Sequence, residues 1–125
     1  MARVLIVEDN PEIRQMVGRL LERDGFDVTS VHDGTEAIEA ISQESYDAIL
    51  LDLMMPTVSG FDVIDWINQN RPNIAKTCVI VVTAAIRELG TFDASKVYAT
   101  VPKPFDVFEL LRVVHQCVGQ TSESA

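Results

Sequence analysis

Three short apolar runs without alternating polar positions constrain the fold of this chain more than any other feature. They cover residues 4–7, 48–51 and 79–82 and are rich in Val, Ile and Leu. An uninterrupted apolar run of this length is typical of a strand that is buried on both faces of a sheet. Weaker strand patterns lie at residues 27–31 and 97–101. We therefore expect five strands, three of them buried on both faces.

Helical spacing fills the intervals between these strands. Apolar residues between positions 13 and 21 recur at steps of three and one and share one helix face, and Gly25 then supplies a stop. Asp106 is expected to cap the last helix, with Glu109 as its capping-box partner. The predicted helices cover residues 13–21, 35–42, 61–70, 84–95 and about 106–118. Pro72 ends the third helix, and the fourth has the least regular pattern.

The alternation of strands and helices indicates a parallel sheet covered by helices on both faces. The predicted fold class is therefore doubly wound α/β. A chain of 125 residues provides one domain of ordinary size. We expect this domain to cover residues 1–119, with the polar residues 120–125 as a disordered C-terminal tail.

The charge balance excludes some classes of partner. Ten Lys and Arg residues stand against 19 Asp and Glu residues, which gives a net charge of -9. A general binder of nucleic acids or anionic membranes carries the opposite sign, so direct binding to either is disfavoured. The apolar runs are far shorter than the roughly 20 residues that cross a bilayer, and no signal-peptide pattern opens the chain. We expect a cytoplasmic protein.

The cysteines and histidines show no spacing of a metal or catalytic site. Cys78 and Cys117 lie in apolar stretches. The favoured interpretation is two reduced core cysteines, with a structural disulfide as the alternative. His32 and His115 have no partner spacing for a metal or a triad, and both are interpreted as structural.

Polar residues follow the predicted strands where each strand ends. The first strand runs into Glu8 and Asp9, and the third into Asp52. The fourth runs into Thr83, and Lys103 follows the fifth. Ligands of open α/β sheets bind beyond the carboxyl ends of the strands. We therefore expect three carboxylates, one hydroxyl and one ammonium to share one edge.

Such an edge suits the chemistry of a phosphoryl group. Three carboxylates held close together repel each other and raise one another's pKa values. A bound cation compensates for this repulsion, and an all-oxygen set with room for water suits Mg²⁺. With Lys103 as a second positive charge, the site would accept an anionic phosphoryl group. The Thr83 hydroxyl would donate to its oxygens while a carboxylate attacks phosphorus in line.

Each of these residues also has a structural interpretation. Glu8 and Asp9 could belong to a helix N-cap region, where acids are favoured. Thr83 suits a strand, and Lys103 alone would be an ordinary surface lysine. Asp52 is harder to explain in this way, because an acid at the end of an apolar strand gains nothing from packing.

Four segments carry a likeness to a known family. They are residues 4–10, residues 52–56 with Gly60 following, residues 82–84 and residues 103–105. In these segments the chain resembles the receiver domain of two-component response regulators. The resemblance extends from residue 3 to about residue 118 and implies a flavodoxin-like sheet with the strand order 2-1-3-4-5.

The resemblance also implies roles for the site residues. Asp52 would take a phosphoryl group from a phosphohistidine on a sensor histidine kinase or a histidine phosphotransfer protein. A downstream protein would bind the face formed by the fourth helix, the fifth strand and the fifth helix, and homodimerisation stays open. The implied Mg²⁺ ligands are Glu8, Asp9, Asp52 and the main-chain carbonyl of Met54, and the implied phosphoryl ligands are Thr83, the amide of Ala84 and Lys103.

The segment before Lys103 departs from the family pattern. The family often carries an aromatic residue three positions before this lysine, which turns inward when the hydroxyl at the position of Thr83 moves to the phosphoryl group. Here the aromatic position is Thr100, so Thr83 and Thr100 are the implied switch residues. Tyr98 lies on the same strand face some 6.6 Å away, so we expect the usual switch to be weakened or replaced. Pro102 is tolerable at a sheet edge, where the implied order places the fifth strand. The resemblance also implies a cis peptide bond between Lys103 and Pro104.

The residues at these strand ends also bear on other functions that occur on a similar fold. The main alternative is a phosphate-independent binding module of the same fold, which only the Thr100 departure favours. A phosphatase of the haloacid dehalogenase type needs a second acid two residues after its nucleophile, where this chain has Met54. A flavodoxin-like cofactor site needs a loop rich in Ser, Thr and Gly after the first strand, where this chain has acids. We expect a switch that catalyses only its own phosphorylation and slow dephosphorylation.

Overall fold

The computed structural model describes residues 2–55, 57–73, 79–84 and 96–123. Within these residues the chain forms five strands and four helices. In chain order they are β1 (Arg3–Val7), α1 (Pro11–Arg23), β2 (Asp27–Val31), α2 (Gly34–Gln43), β3 (Ala48–Leu51), α3 (Gly60–Asn70), β4 (Val79–Thr83), β5 (Ala99–Pro102) and α4 (Val107–Glu123).

The five strands form one parallel sheet in the order β2-β1-β3-β4-β5. The predicted doubly wound α/β class and the strand order are both confirmed. Val7 lies opposite Leu51, and Thr83 lies opposite Pro102, so these paired strands end together. Their carboxyl ends therefore meet along one edge of the sheet, where the residues that follow them come together.

The uninterrupted apolar runs form the centre of the core. From Val4 onward β1 is buried, and all residues of β3 and β4 are buried. The helices add one apolar face each, for example Val17 and Leu21 of α1 and Val114 and Cys117 of α4. The edge strand β2 is more exposed. Polar side chains are therefore confined largely to strand ends and outer helix faces, as expected for a covered parallel sheet.

Local interactions determine where the first three helices begin and end. The Asn10 side chain accepts hydrogen bonds from two first-turn amides of α1. Gly25, just after α1, has a φ of 92°, a conformation that residues with a Cβ rarely adopt. Ser59 and Asp62 form a reciprocal capping box at the start of α3. Of these signals, only Gly25 entered the prediction from the sequence, as the stop of the first helix.

The last helix corrects two predictions. The Asp106 side chain accepts hydrogen bonds from two first-turn amides, as a cap does, but Glu109 pairs with Arg112 instead of returning to the cap. A cation one turn along an exposed helix face competes for the same carboxylate. The helix also continues to Glu123, so residues 120–123 are helical and not a disordered tail. Gly119 lowers helix stability by only about 1 kcal/mol, and no proline follows it.

Cys117 lies in the core, as predicted. Cys117 is buried, and burial raises the pKa of its thiol to about 12, which keeps it protonated and inert. Cys78 and residues 85–95 of the predicted fourth helix lie outside the described residues. No helix in the described part of the chain combines the length and apolar character that a membrane span requires.

Strand β5 carries a proline at the edge of the sheet. In this sheet β5 pairs only with β4. Pro102 has no backbone N–H to donate to a second neighbour, so an edge strand is the position that suits it. The amide of Lys103, directly after the proline, donates to the carbonyl of Thr83 at 2.9 Å. The peptide bond between Lys103 and Pro104 is cis, as predicted. The hydrogen bond to Thr83 holds the backbone of Lys103 beside the end of β4.

Candidate functional site

Glu8 and Asp52 lie at the carboxyl ends of two adjacent central strands. The amide of Glu8 donates to the carbonyl of Val31 at 3.2 Å, and the amide of Asp52 donates to the carbonyl of Val7 at 3.1 Å. These bonds continue the parallel ladders by one residue beyond β1 and β3. Glu8 and Asp52 are each only 5% exposed, which makes an uncompensated negative charge on either of them unfavourable.

Asp9 adds a third carboxylate to the pair. It is exposed, and one oxygen each from Glu8, Asp9 and Asp52 lie within 4.8 Å of one another. Oxygen ligands of this kind are those that Mg²⁺ prefers, with waters completing its octahedron. The donor set therefore fits a magnesium ion. The three acids that the sequence predicted to share one edge are brought together.

The ammonium group of Lys103 joins the two buried acids. Its Nζ atom lies 3.4 Å from Oδ2 of Asp52 and also contacts Oε1 of Glu8. Burial lowers the pKa of Lys103, but its hydrogen bonds and charge interactions with Glu8 and Asp52 together outweigh this effect and raise the net pKa above its ordinary value. Lys103 is therefore a constant positive charge beside Asp52 at neutral pH.

Opposing effects act on the pKa of the Glu8 carboxyl group. Burial raises its pKa, and the nearby Asp9 carboxylate raises it further. The contact with Lys103 and the amide of Asn10, 3.1 Å from Oε2, lower it again. The net pKa of Glu8 lies above its ordinary value, which means that an additional positive charge at this place would be stabilised.

The other predicted site residues lie at or just after the ends of β3 and β4, or on β5. Thr83 is fully buried at the end of β4, and Ala84 is exposed directly after it. The amide of Met54 donates to Oδ1 of Asp52 at 3.1 Å, and the residue as a whole is 54% exposed. Thr100 is exposed on the edge strand β5, where it lies opposite Val81, two residues before the end of the strand.

The loop after Asp52 is held by a close backbone contact. The amide of Gly60 donates to the carbonyl of Leu53 at 3.0 Å, and a Cβ atom on Gly60 would lie 2.3 Å from the carbonyl oxygen of Asp52. Only glycine fits at this position. In the same loop Thr57 has a φ of 67°, which is rare for a β-branched residue. The start of α3 is thus packed directly on the backbone of the candidate phosphoacceptor.

A second group of polar side chains lies at the end of β2. His32, Asp33 and Glu36 offer ligand atoms within 4.8 Å of one another. Nδ1 of His32 is 2.6 Å from Oε1 of Glu36, and the Asp33 side chain caps α2. These contacts account for the three side chains as parts of the start of α2. His115 pairs with Asp24, with 2.9 Å between Nε2 and Oδ2.

Sequence reasoning missed one residue of the site and underestimated another. Nη1 of Arg14 donates to the carbonyl oxygen of Glu8 at 2.8 Å. Asn10 caps α1 with its side chain and holds the Glu8 carboxylate with its amide. The capping preference of asparagine was a usable signal for Asn10. Arg14 has no such signal, because its contact depends on the angle at which α1 leaves the sheet.

Comparisons with known proteins agree with this geometry. A family model of the response regulator receiver domain matches residues 4–115. The response regulator ArlR of Staphylococcus saprophyticus is 35% identical over 116 residues, which cover 89% of this chain and 50% of ArlR. The chain spans about half the length of the curated relatives it matches.

Solved structures show the same arrangement of strands and helices. The receiver domain of the Francisella response regulator 1452 has a TM-score of 0.83 and 30% identity, covering 97% of this chain and 99% of its own. The response regulator TrrA of Thermotoga maritima, crystallised in complex with Mg²⁺-BeF, has a TM-score of 0.83 and 28% identity, covering 94% and 99%. Both likenesses extend over nearly the whole chain.

Proposed function

Because the chain belongs to the receiver domain family of response regulators, we propose that it is a phosphorylation-controlled signalling switch with Asp52 as the phosphoacceptor. The donor is a phosphohistidine on a sensor histidine kinase or a histidine phosphotransfer protein. The position of Asp52 carries the proposal. It is 5% exposed, and its Oδ2 atom lies 3.4 Å from Nζ of Lys103. One of its carboxylate oxygens lies within 4.8 Å of an oxygen of Glu8 and an oxygen of Asp9.

The proposed step moves one phosphoryl group without a net change in covalent bond number. A carboxylate oxygen of Asp52 bonds to phosphorus while the opposite P–N bond breaks, and the imidazole leaves with the electron pair and takes up a proton. Lys103, the Thr83 hydroxyl and the Ala84 amide bind the phosphoryl oxygens, where negative charge resides. The Met54 amide, which donates to Oδ1, orients the carboxylate for attack.

The metal site makes this step dependent on a cation. Mg²⁺ held by the three acids and the main-chain carbonyl of Met54 would neutralise phosphoryl oxygens and lower their repulsion from the carboxylates. The solved complex of TrrA with Mg²⁺-BeF supports this assignment in a relative of the same fold. Since the three carboxylates repel an anionic phosphoryl donor, phosphoryl transfer to Asp52 is expected to be slow when a chelator removes Mg²⁺.

The output is a changed protein surface. Phosphorylation replaces the single negative charge of the Asp52 carboxylate with a phosphoryl group of up to about -2, and this change biases the domain toward a second arrangement. A downstream protein would read this change on the face that contains β5 and α4, where Phe108 is 81% exposed. Because Met54 stands where a phosphatase would carry its second acid, the activity of the domain is limited to its own phosphorylation and slow dephosphorylation.

Intact mass after incubation with acetyl phosphate tests the proposal. In this reaction the P–O bond to acetate breaks in place of the P–N bond. With Mg²⁺, the wild type and the charge-matched control Asp65→Asn, which alters an exposed residue of α3, are expected to gain about one phosphoryl group. Asp52→Asn is expected to gain none. Equal gain by Asp52→Asn, or no gain by any protein, would reject Asp52 as acceptor, and the latter would favour a phosphate-independent binding module.

A further inference from the structure

We propose that Arg14 is a positioning residue for the turn formed by Glu8 and Asp9, and that it thereby sets the affinity of the site for Mg²⁺. The inference rests on the proposed function, because it concerns the same metal site. It assigns a role to a side chain on α1 that does not belong to the acidic cluster itself.

The hydrogen bonds of Glu8 show what Arg14 contributes. The amide of Glu8 is held by Val31 at 3.2 Å, and its carboxylate is held by the amide of Asn10 at 3.1 Å and by Lys103. Its carbonyl oxygen accepts from Nη1 of Arg14 at 2.8 Å. Among the contacts of the described residues, this bond is the one that fixes the carbonyl of Glu8.

That carbonyl determines the direction of the next side chain. The carbonyl of Glu8 and the amide of Asp9 belong to one rigid peptide plane. If the plane turns, the Asp9 carboxylate turns away from the other two acids. Asp9 is the exposed member of the three, so packing does little to hold it. Groups that orient metal ligands typically change metal affinity by about 10–100-fold when removed.

The positive charge of Arg14 by itself lowers the affinity for Mg²⁺, whereas its hydrogen bond to Glu8 raises it. A nearby cation repels Mg²⁺, so removal of charge alone would tighten metal binding. A role in folding alone would lower stability and leave metal affinity unchanged. The three roles therefore predict different changes in the dissociation constant for Mg²⁺ when Arg14 is replaced. Positioning predicts an increase, charge repulsion predicts a decrease, and a role in folding alone predicts no change.

Titration calorimetry of the whole chain with MgCl₂ measures this quantity. Arg14→Met removes the donors and the charge but keeps a long side chain, whereas Arg19→Met removes the same charge from an exposed position on the same helix. We expect Arg14→Met to bind Mg²⁺ about tenfold more weakly and Arg19→Met to bind as the wild type does. Arg14→Lys, which restores one donor and the charge, should recover part of the affinity.

Several results would overturn the inference. They are wild-type or tighter binding by Arg14→Met, an equal loss in both methionine variants, and no Mg²⁺ binding by the wild type. If Arg14→Met does not unfold cooperatively, the Mg²⁺ affinities of Arg14→Gln and Arg14→Lys are compared instead. Wild-type Mg²⁺ affinity in both of these variants would reject the positioning role of Arg14. An Arg14-dependent Mg²⁺ affinity in a protein that gains no phosphoryl group would retain this inference and reject the proposed function.

Discussion

Nζ of Lys103 lies 3.4 Å from Oδ2 of Asp52, although 51 residues separate the two in the sequence. In the sheet, β4 lies between the strands that carry them, so the lysine reaches across one strand to the acid. The same ammonium contacts Glu8, which follows β1. One long side chain at the sheet edge thus compensates two acids that the central strands bury.

Removing this cation is expected to destabilise the protein. Lys103→Met leaves two buried carboxylates without their partner, and we expect the free energy of unfolding in EDTA to fall by about 3 kcal/mol. Added Mg²⁺ should restore part of the loss, because it neutralises the same carboxylates. Urea unfolding with and without Mg²⁺ measures both effects. Lys96→Met, at a half-buried position, is the control, and wild-type stability of Lys103→Met in EDTA would contradict this account.

The response of stability to Mg²⁺ should depend on Asp9. Asp9→Asn removes one of three close like charges, so the metal-free variant should be as stable as the wild type or more so. At 100 times the dissociation constant, Mg²⁺ should stabilise the wild type by about 2.7 kcal/mol and the variant by less. Thermal unfolding measures the difference, and the exposed Glu22→Gln should keep the full response. An equal response in Asp9→Asn would remove Asp9 from the ligand set.

The backbone contact behind Asp52 predicts opposite effects for one substitution at two glycines. A Cβ atom on Gly60 would lie 2.3 Å from the carbonyl oxygen of Asp52, whereas one on Gly119 meets nothing within 4 Å. Gly60→Ala should therefore destabilise the protein by about 3 kcal/mol. Gly119→Ala, inside α4, should stabilise it by about 0.5–1 kcal/mol. Denaturant unfolding compares the two, and similar values for both would show that the loop yields freely.

The aromatic switch of the family should be weakened or replaced in this chain. Thr100 occupies the expected aromatic position and is exposed, and the half-buried Tyr98 lies two residues earlier, just before the start of β5. Crystal structures with and without Mg²⁺ and beryllofluoride would locate both side chains. We expect no large inward rotation of Tyr98 on activation. A fixed Thr100 together with an inward swing of Tyr98 would contradict this prediction.

The strands and the acids at their ends were predictable because both signals are local. Residues 48–51 are apolar without interruption, and burial on two faces of a sheet requires that pattern. Asp52 then stands out, since an acid directly after such a run has no packing role. The start of α3 was equally accessible, because Ser59 and Asp62 cap it within a few residues.

Predictions from the sequence were wrong or incomplete where the local pattern does not decide between possible partners of one group. Glu109 could return to its helix cap or pair with Arg112, and the pair with Arg112, which the structure shows, contributes only about 0.2–0.5 kcal/mol on an exposed helix face. The contact of Arg14 with Glu8 requires a particular angle between β1 and α1, which no local pattern encodes.

By itself, the sequence determined the parallel α/β fold and the edge at which Glu8, Asp9 and Asp52 meet, because the period of apolar residues selects strands and helices. Only the tertiary structure decided which cation each acid receives. Lys103 bridges Glu8 and Asp52, and Arg14 holds the peptide plane before Asp9. Those contacts arise from the order of strands in the sheet and the packing of α1, which bring together groups that lie far apart along the chain or on different elements.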